Sequence, residues 1–142
     1  ATALTDVQAV AEPADADVLV VDDDEVVRTI TVGLLTNLGY RCRDSASGAD
    51  ALIAVERDPP DLIVLDAVMP GMNGLEVLRR LRTAGSTMPV LLCSGYGEGG
   101  DIQAMHRLGL AGVLRKPFRY DELRRACARA LGARSRSGTD AP

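Results

Sequence analysis

The chain has 142 residues, of which 46% are hydrophobic and 25% are charged, as in ordinary globular domains. This length is enough for one domain with a substantial hydrophobic core. The formal net charge of −4 gives no overall attraction to nucleic acid or to an anionic membrane, so we expect neither as a direct partner. No apolar run approaches the length of a membrane-spanning helix, and the three scattered cysteines form no CxxC pair. We therefore expect a cytoplasmic protein with reduced thiols and no zinc framework.

The two ends of the chain differ in composition from the rest. Residues 1–16 are rich in Ala, Asp and Glu and predict a flexible linker or arm, and residues 133–142 ("ARSRSGTDAP") predict a flexible tail. The folded domain is expected between them, at residues 17–132. The chain also begins without Met, which suggests a processed chain or an excised fragment.

The first half of the domain alternates short apolar runs with helical patterns. The run "DVLVVD" at 17–22 predicts a strand that is covered on both faces. Apolar residues at four-residue intervals then predict the buried face of a helix that ends at Gly39. These residues are Val26, Ile30, Leu34 and Leu38. "YRCRDS" at 40–45 alternates weakly and predicts an edge strand, and the helix after it stops at Pro59 and Pro60.

The second half repeats this alternation. "DLIVLD" (61–66) and "MPVLLCS" (88–94) predict two buried strands, and "AGVLRKPF" contains a last one. Each of these strands is followed by a segment with the helical spacing of apolar residues. Five strands alternating with five helices predict a parallel sheet with helices on both faces, joined by right-handed crossovers.

Polar residues end four of the five predicted strands, on the edge of the sheet where open α/β folds bind ligands. They are Asp22, Asp23 and Asp24 after the first strand, Asp66 at the third, Ser94 at the fourth and Lys116 at the fifth. Clustered carboxylates favour a hard cation such as Mg²⁺. Beside such a cation Asp66 would act as a nucleophile on phosphorus, with Ser94 and Lys116 contacting the phosphoryl oxygens. Lys116 is the only lysine in the chain, and its compact charge suits a phosphoryl group.

Four stretches of the sequence closely resemble the receiver domain of two-component response regulators. They are "VLVVDDDEVVR", "DLIVLDAVMPGMNGLEVL", "PVLLCSGY" and "LRKPF", and they occur in the family's order over residues 17–131. The resemblance implies a flavodoxin-like (βα)5 doubly wound sandwich, with a five-stranded parallel sheet of order 2-1-3-4-5. It also implies that residues 17–132 form a receiver domain, which accepts a phosphoryl group in His-Asp phosphorelay signalling.

The resemblance assigns roles to the residues at the strand ends. Asp66 matches the phosphoacceptor, and Ser94 and Lys116 match the residues that bind the phosphoryl group and take part in switching. The implied ligands of Mg²⁺ (or Mn²⁺) are Asp22, Asp23, Asp66 and the backbone carbonyl of Val68. The bond between Lys116 and Pro117 is implied to be cis.

Two positions near the site depart from the family pattern or add to it. The aromatic residue that usually takes part in switching, three positions before the lysine, is replaced by Val113. Tyr96, two positions after Ser94, is a bulky side chain that we expect to control access to the site.

The resemblance also implies the partners. A histidine kinase or a phosphotransfer domain carrying phosphohistidine would donate the phosphoryl group, and acetyl phosphate would serve as a small donor. Phosphorylation would change the face formed by the fourth helix, the fifth strand and the fifth helix, through which a homodimer could form. Such a domain assists its own phosphorylation and dephosphorylation but is no enzyme in the usual sense. "LLCSGY" and "LRKPF" further resemble receivers attached to hybrid histidine kinases, so a fragment of such a kinase and a free-standing regulator both remain open.

The aspartate triplet leaves open a different chemistry. "DDDEV" also fits the D-x-D-x-[TV] motif of haloacid-dehalogenase-type phosphatases, with Asp22 as nucleophile and Asp24 as acid/base. That interpretation gives Asp66 and "MPGMNG" no role. It also requires an acidic motif at a strand end after the lysine, whereas the acidic residues shortly after Lys116 open a helix. On the receiver interpretation, Asp24 instead caps the first helix. A degenerate receiver that only binds partners is a third interpretation, although all the chemical positions are filled.

Overall fold

The structure, a computed structural model, describes residues 16–95 and 101–140, with side chains described up to residue 132. Five strands and five helices alternate along these residues. The strands are β1 (Asp17–Val21), β2 (Arg41–Ser45), β3 (Leu62–Asp66), β4 (Val90–Ser94) and β5 (Gly112–Arg115). The helices are α1 (Glu25–Asn37), α2 (Gly48–Arg57), α3 (Gly74–Thr83), α4 (Ile102–Arg107) and α5 (Tyr120–Asp140).

The five strands form one parallel sheet in the order β2-β1-β3-β4-β5, which confirms the predicted flavodoxin-like fold. β1 and β3 lie at the centre of the sheet, and β2 lies at one edge, as its polar sequence predicts. The carboxyl ends of all the strands point to the same edge, because the strands are parallel. The residues that follow β1, β3, β4 and β5 are therefore brought together.

The hydrophobic core is divided by the sheet into two clusters, because successive strand residues face opposite sides. Val18, Val20, Leu62 and Val64 pack with Leu35 of α1 and Leu123 of α5 on one side. On the other side the sheet packs against α2, α3 and α4; the buried residues there include Leu19, Val21, Ile63, Leu65, Val55, Leu78 and Met105. Complete burial of such a side chain contributes about 1.5–3 kcal/mol. The core therefore fixes the sheet and with it the positions of the strand ends.

The predicted buried face of α1 is wrong in its first half. Val26 and Ile30 are 68% and 56% exposed, and the helix buries Thr31 and Leu35 instead. Residues four apart advance by about 40° around a helix with 3.6 residues per turn, so a stripe at strict four-residue spacing drifts off one face. Leu34 and the residues near it pack against the core, but Val26 and Ile30 lie beyond the buried side.

The ends of the helices agree with the sequence in two of three respects. Gly39 follows α1 with a φ of 104°, a conformation that glycine adopts without steric cost. α2 ends at Arg57, before the predicted stop at Pro59. The helical backbone of α5, however, extends to Asp140 and so includes most of residues 133–142, for which we predicted a flexible tail. Residues 133–140 contain one Ala and two Arg, which favour a helix, together with Ser, Gly, Thr and Asp, which do not. The domain boundary at residue 132 stays a prediction, and nearly all of the predicted arm at 1–16 lies outside the described residues.

Candidate functional site

Three of the predicted site residues are buried at the carboxyl edge of the sheet. Asp22 directly follows β1, Asp66 is the last residue of β3, and Ser94 is the last residue of β4. Their exposed fractions are 5%, 6% and 0%. Burial of a carboxylate is unfavourable in free energy unless a positive charge or hydrogen-bond donors accompany it. We therefore expect a cationic group at this edge of the sheet.

The carboxylates of Asp22, Asp23 and Asp66 form one cluster. One carboxylate oxygen from each residue lies within 4.8 Å of the others. Asp23 is exposed, whereas Asp22 and Asp66 are buried, so the cluster opens to solvent on the side of Asp23. Oxygen donors at this spacing suit Mg²⁺, which is held by one or two carboxylates together with water and phosphate oxygens.

Lys116 supplies the positive charge of the cluster from the end of β5. Its Nζ lies 2.9 Å from Asp66 Oδ1 and 3.6 Å from Asp22 Oδ2. The backbone N–H of Lys116 donates to the Ser94 carbonyl at 2.9 Å, and the Lys116–Pro117 peptide bond is cis, as the resemblance implied. Three carboxylates against one ammonium leave an excess of two negative charges, which matches a divalent cation.

At Asp66 and Lys116, burial and the pairing of the two groups shift the pKa in opposite directions. Burial raises the pKa of the Asp66 carboxyl above its ordinary 3.8; the bond from Lys116 opposes this rise, and the charges of Asp22 and Asp23 add to it. Burial by itself would lower the pKa of the Lys116 ammonium. The hydrogen bond to Asp66 and the charges of Asp66 and Asp22 outweigh that effect, and the Lys116 pKa is raised. The raised pKa of Lys116 favours its charged form, whereas the raised pKa of Asp66 means that ionisation of this carboxyl is unfavourable.

The cluster is shallow. The cavity behind Asp22, Asp66 and Lys116 has a volume of about 10 Å³, roughly the space of one water molecule. The thiol of Cys93 lines this cavity, and burial raises its pKa to about 12, so the thiol stays protonated. Among the described residues, this cavity leaves no room for a reacting group, and the exposed member of the cluster is Asp23.

Asp24 stands apart from the cluster and caps α1. Its carboxylate accepts hydrogen bonds from the backbone N–H groups of Val26 at 2.9 Å and Val27 at 3.2 Å. This confirms the predicted cap. Asp24 is thereby turned toward the helix, whereas a phosphatase of the alternative type would need it as an acid/base beside Asp22.

The other predicted site residues differ in how much the structure describes. The Ser94 hydroxyl donates to the Gly95 carbonyl at 3.2 Å. Val113 lies in β5 opposite Leu92 of β4 and packs, partly buried, against the core cluster on the α2–α4 side. The side chain of Val68 is 55% exposed, and its carbonyl as a metal ligand stays a prediction. Tyr96, the expected access-controlling residue, lies outside the described residues.

Two residues that support the site were not predicted. A Cβ atom on Gly74, at the start of α3, would lie 2.9 Å from the Asp66 carbonyl oxygen, so only glycine fits behind the end of β3. Arg28 of α1 donates from Nη1 to the Asp22 carbonyl at 2.8 Å and from Nε to Asp44 at 2.8 Å. The glycines of "MPGMNG" are a visible signal for a tight turn, whereas nothing in the sequence pairs Arg28 with Asp44.

A parallel α/β sheet with an acidic cluster and one lysine at its carboxyl edge defines a class of phosphate- and cation-binding proteins, and comparison with known proteins gives the particular family. The model of the response regulator receiver domain matches residues 18–128. The chain is 35% identical over 118 residues to sporulation initiation phosphotransferase F of Bacillus subtilis (strain 168), covering 83% of this chain and 95% of that protein. It is 38% identical over 124 residues to response regulator MprA of Mycobacterium avium (strain 104), covering 87% of this chain and 54% of that protein.

Solved structures agree with this assignment. The crystal structure of the receiver domain of NtrX from Brucella abortus superposes with a TM-score of 0.77 at 31% identity, covering 82% of this chain and 98% of that one. The chemotaxis protein CheY4 of Vibrio cholerae superposes with a TM-score of 0.76 at 29% identity, covering 82% and 98%.

The chain belongs to the receiver domain family of two-component response regulators. Receiver domains are signalling modules that interact with histidine kinases or phosphotransfer proteins and generally bind Mg²⁺ at an acidic pocket. The chain spans 95% of the Bacillus protein but only about half of MprA. Within the described ranges, none of the helices combines the length and the apolar character needed to cross a bilayer.

Proposed function

We propose that Asp66 is the phosphoacceptor of this receiver domain and that Asp22, Asp23, Asp66 and the Val68 carbonyl hold Mg²⁺. The observation that carries the proposal is the position of Asp66, whose Oδ1 lies 2.9 Å from Lys116 Nζ within the three-carboxylate cluster. Asp22 also lies in the cluster and forms an ion pair with Lys116, but at 3.6 Å and without the hydrogen bond that Asp66 accepts. Asp24 is engaged at the helix start.

The transfer is a nucleophilic displacement at phosphorus. A carboxylate oxygen of Asp66 attacks the phosphorus of a donor phosphohistidine, the P–N bond breaks, and its electron pair stays on the imidazole, which takes up a proton. Bound Mg²⁺ would neutralise part of the charge on the phosphoryl oxygens. Lys116 pairs with the Asp66 carboxylate. When that carboxylate becomes an acyl phosphate, the ammonium would bind a phosphoryl oxygen. Ser94, buried at the end of the adjacent strand β4, would offer its hydroxyl to a further oxygen.

The donor is proposed to be a protein with an apolar docking surface. Val26 and Ile30 on α1, the helix that follows the acidic turn, and Val68, two residues after Asp66, are 68%, 56% and 55% exposed. We call these three side chains the apolar rim. Exposed apolar residues around a reactive centre are typical of protein interaction sites. A phosphohistidine on a histidine kinase or on a phosphotransfer domain would reach Asp66 across this rim.

We further propose a cytoplasmic location, supported by the fact that Cys42, Cys93 and Cys127 are not joined in disulfides. A homodimer through α4, β5 and α5 is also proposed, because phosphorylation at the ends of β3–β5 would first affect these neighbouring elements. Whether the domain belongs to a free-standing regulator or to a hybrid histidine kinase stays a prediction from the sequence.

Intact-mass measurement after incubation with acetyl phosphate and Mg²⁺ tests the central proposal. We expect the wild type to gain one phosphoryl group, and Asp66→Asn to gain none. Asp24→Asn is the matched control, because it removes an adjacent negative charge but keeps a side-chain oxygen for the helix cap. Undiminished labelling of Asp66→Asn, or a phosphoryl group mapped to Asp22, would show that the phosphoacceptor is elsewhere.

A further inference from the structure

Asp22 takes part in three hydrogen bonds, one of which comes from a positively charged side chain, in addition to its ion pair with Lys116. Its backbone N–H donates to the Ser45 carbonyl at 3.2 Å, and its Oδ1 accepts from the Asp24 N–H at 2.9 Å. Its carbonyl accepts from Arg28 Nη1 at 2.8 Å. The carbonyl of Asp22 belongs to the planar peptide unit that also contains the Asp23 nitrogen. A hydrogen bond to this carbonyl therefore fixes the orientation of the peptide plane that leads into Asp23.

Arg28 is itself held by Asp44. The guanidinium Nε donates to Asp44 Oδ2 at 2.8 Å, and the Arg28 side chain is only 16% exposed. Asp44 lies in β2 in register with Val20 of β1, one residue before the Ser45 carbonyl that bonds to Asp22. The Arg28 guanidinium thus connects α1, the acidic turn and the edge strand β2. Its planar group presents two N–H donors at once, one to Asp44 and one to the Asp22 carbonyl.

We propose that Arg28, held by Asp44, is a positioning residue that orients Asp22 and Asp23 for cation binding. The inference rests on the proposed cation site at Asp22, Asp23 and Asp66. Arg28 touches neither the carboxylates of that cluster nor any reacting atom in the contacts described, and it acts through the Asp22 backbone. Residues that orient metal ligands from outside the ligand set change metal affinity by about 10- to 100-fold when they are replaced.

The charge of Arg28 makes the proposal testable by the sign of the effect. Removal of a positive charge beside a carboxylate cluster would by itself strengthen the binding of a divalent cation, because repulsion is lost. Removal of a positioning contact would weaken it. The two explanations therefore predict opposite changes in the same dissociation constant.

Titration of the full chain with Mn²⁺ by isothermal titration calorimetry provides the measurement. We expect Arg28→Met to weaken Mn²⁺ binding by about tenfold. Arg28→Lys should fall between this variant and the wild type, because one ammonium retains the charge but not the two-sided contact. Asp44→Asn should weaken binding less than Arg28→Met. Arg80→Met is the matched control, since Arg80 also donates from Nε to a carboxylate at 2.8 Å, but on the exposed face of α3.

The outcomes separate this inference from the proposed function. If the wild type itself does not bind Mn²⁺, the proposed cation site fails and the inference fails with it. If the wild type binds and Arg28→Met binds equally or more tightly, the positioning role is overturned while the cation site stands. If Arg28→Met does not unfold cooperatively, Arg28→Lys and Asp44→Asn decide, and unchanged affinity in both overturns the proposal. Backbone amide chemical shifts of residues 22–24 give a second readout, which should change in Arg28→Met without added metal.

Discussion

Asp66 is packed from behind by Gly74, the first residue of α3. The Gly74 N–H donates to the Ala67 carbonyl at 3.0 Å, and a Cβ atom at this position would meet the Asp66 carbonyl oxygen at 2.9 Å and the Ala67 Cα at 3.2 Å. Both contacts are with backbone, which cannot move aside without shifting the end of β3. The close approach of α3 therefore depends on the missing side chain.

We expect Gly74→Ala to lower the free energy of unfolding by about 1–3 kcal/mol, since overpacking forces backbone shifts. Because the shift would occur at Asp66 itself, phosphorylation by acetyl phosphate should also slow. Urea denaturation and the rate of mass gain measure the two effects. Gly33→Ala is the control: nothing lies within 4 Å of a Cβ there, and alanine should stabilise the exposed middle of α1. Equal stability of Gly74→Ala and the wild type would contradict the predicted clash.

At this scale the sequence could predict residues that act locally or at strand ends. Asp24 was predicted as a cap because its chemistry and its place before a helical pattern suffice. Asp22, Asp66 and Lys116 were predicted as neighbours, because parallel strands bring their carboxyl ends together. Arg28 could not be predicted, because its partner Asp44 lies on another element. The register of β1 and β2, which brings Asp44 close to α1, is not visible in the sequence.

Helix α1 has a buried side and an exposed side that both carry large side chains. Thr31 and Leu35 face the core, whereas Val26 and Ile30 are exposed on the part of the helix that begins at the acidic turn. Because the exposed pair contributes little to the core, the docking role proposed for the apolar rim can be tested at these two residues.

We expect Val26→Ser and Ile30→Ser to slow phosphoryl transfer from a phosphohistidine protein that phosphorylates the wild type, by about tenfold for the pair. Tenfold corresponds to about 1.4 kcal/mol, which partial burial of the two side chains in an interface would supply, since complete burial contributes about 1.5–3 kcal/mol each. Labelling by acetyl phosphate, which needs no protein contact, should stay unchanged. Single-turnover transfer kinetics measure the difference.

Ile53→Ser is the control for this test, because Ile53 is also exposed but lies on α2. It should leave both donors unaffected. Equal slowing with acetyl phosphate would mean that the α1 changes disturb the acidic cluster rather than a docking surface.

Element boundaries were predictable from apolar runs and punctuating residues, but the face of α1 was not. A sequence pattern gives the spacing of apolar residues without stating which of them meets the sheet. Here the exposed Val26 and Ile30 and the core-packed Leu34 and Leu38 fall on one continuous stripe of the sequence. The two can be separated only when the neighbouring elements are in place.

On the scale of the whole molecule, ionisation of Asp66 opposes the stability of the fold. The raised pKa of Asp66 means that the folded protein binds a proton at this carboxyl more tightly than the unfolded chain does. The stability contributed by the protonated Asp66 is therefore fully present below its ordinary pKa of 3.8 and is lost as the pH rises through the folded value. Without a cation, the fold is expected to be less stable with Asp66 ionised than with Asp66 protonated.

We expect Asp66→Asn to be more stable than the wild type at neutral pH in the presence of EDTA, with a difference that shrinks as the pH falls toward 3.8. Mg²⁺ should raise the denaturation midpoint of the wild type more than that of the variant, because binding to the folded state is stabilising. Urea denaturation over a pH series measures both effects. A variant less stable than the wild type at neutral pH would show that the Lys116 bond outweighs burial.

Asp121→Asn is the control of opposite sign. The hydrogen bond from Arg124 lowers the pKa of the exposed Asp121 carboxyl, so ionisation there favours the fold. The asparagine variant should be slightly less stable than the wild type at neutral pH, and the difference should also vanish as the pH falls.

The alternation of strands and helices predicted the layered architecture, because buried parallel strands and amphipathic helices leave few other arrangements. The strand order came from the resemblance to the family alone, since periodicity does not state which strand pairs with which. The extension of α5 to Asp140 was missed for a related reason. This polar segment, with two Arg and two Ser in residues 133–140, carries no apolar stripe that would distinguish a helix from a tail.

The single lysine of the chain has a practical consequence for spectroscopy. Because Lys116 Nζ lies within the carboxylate cluster, reductive methylation with ¹³C-formaldehyde would place an isotopic label at the centre of the site. Apart from the α-amino group, no other amine in the chain would take up the label. One methyl resonance would then follow cation binding, protonation and phosphorylation at Asp66 in real time, in the intact molecule and without a mutation.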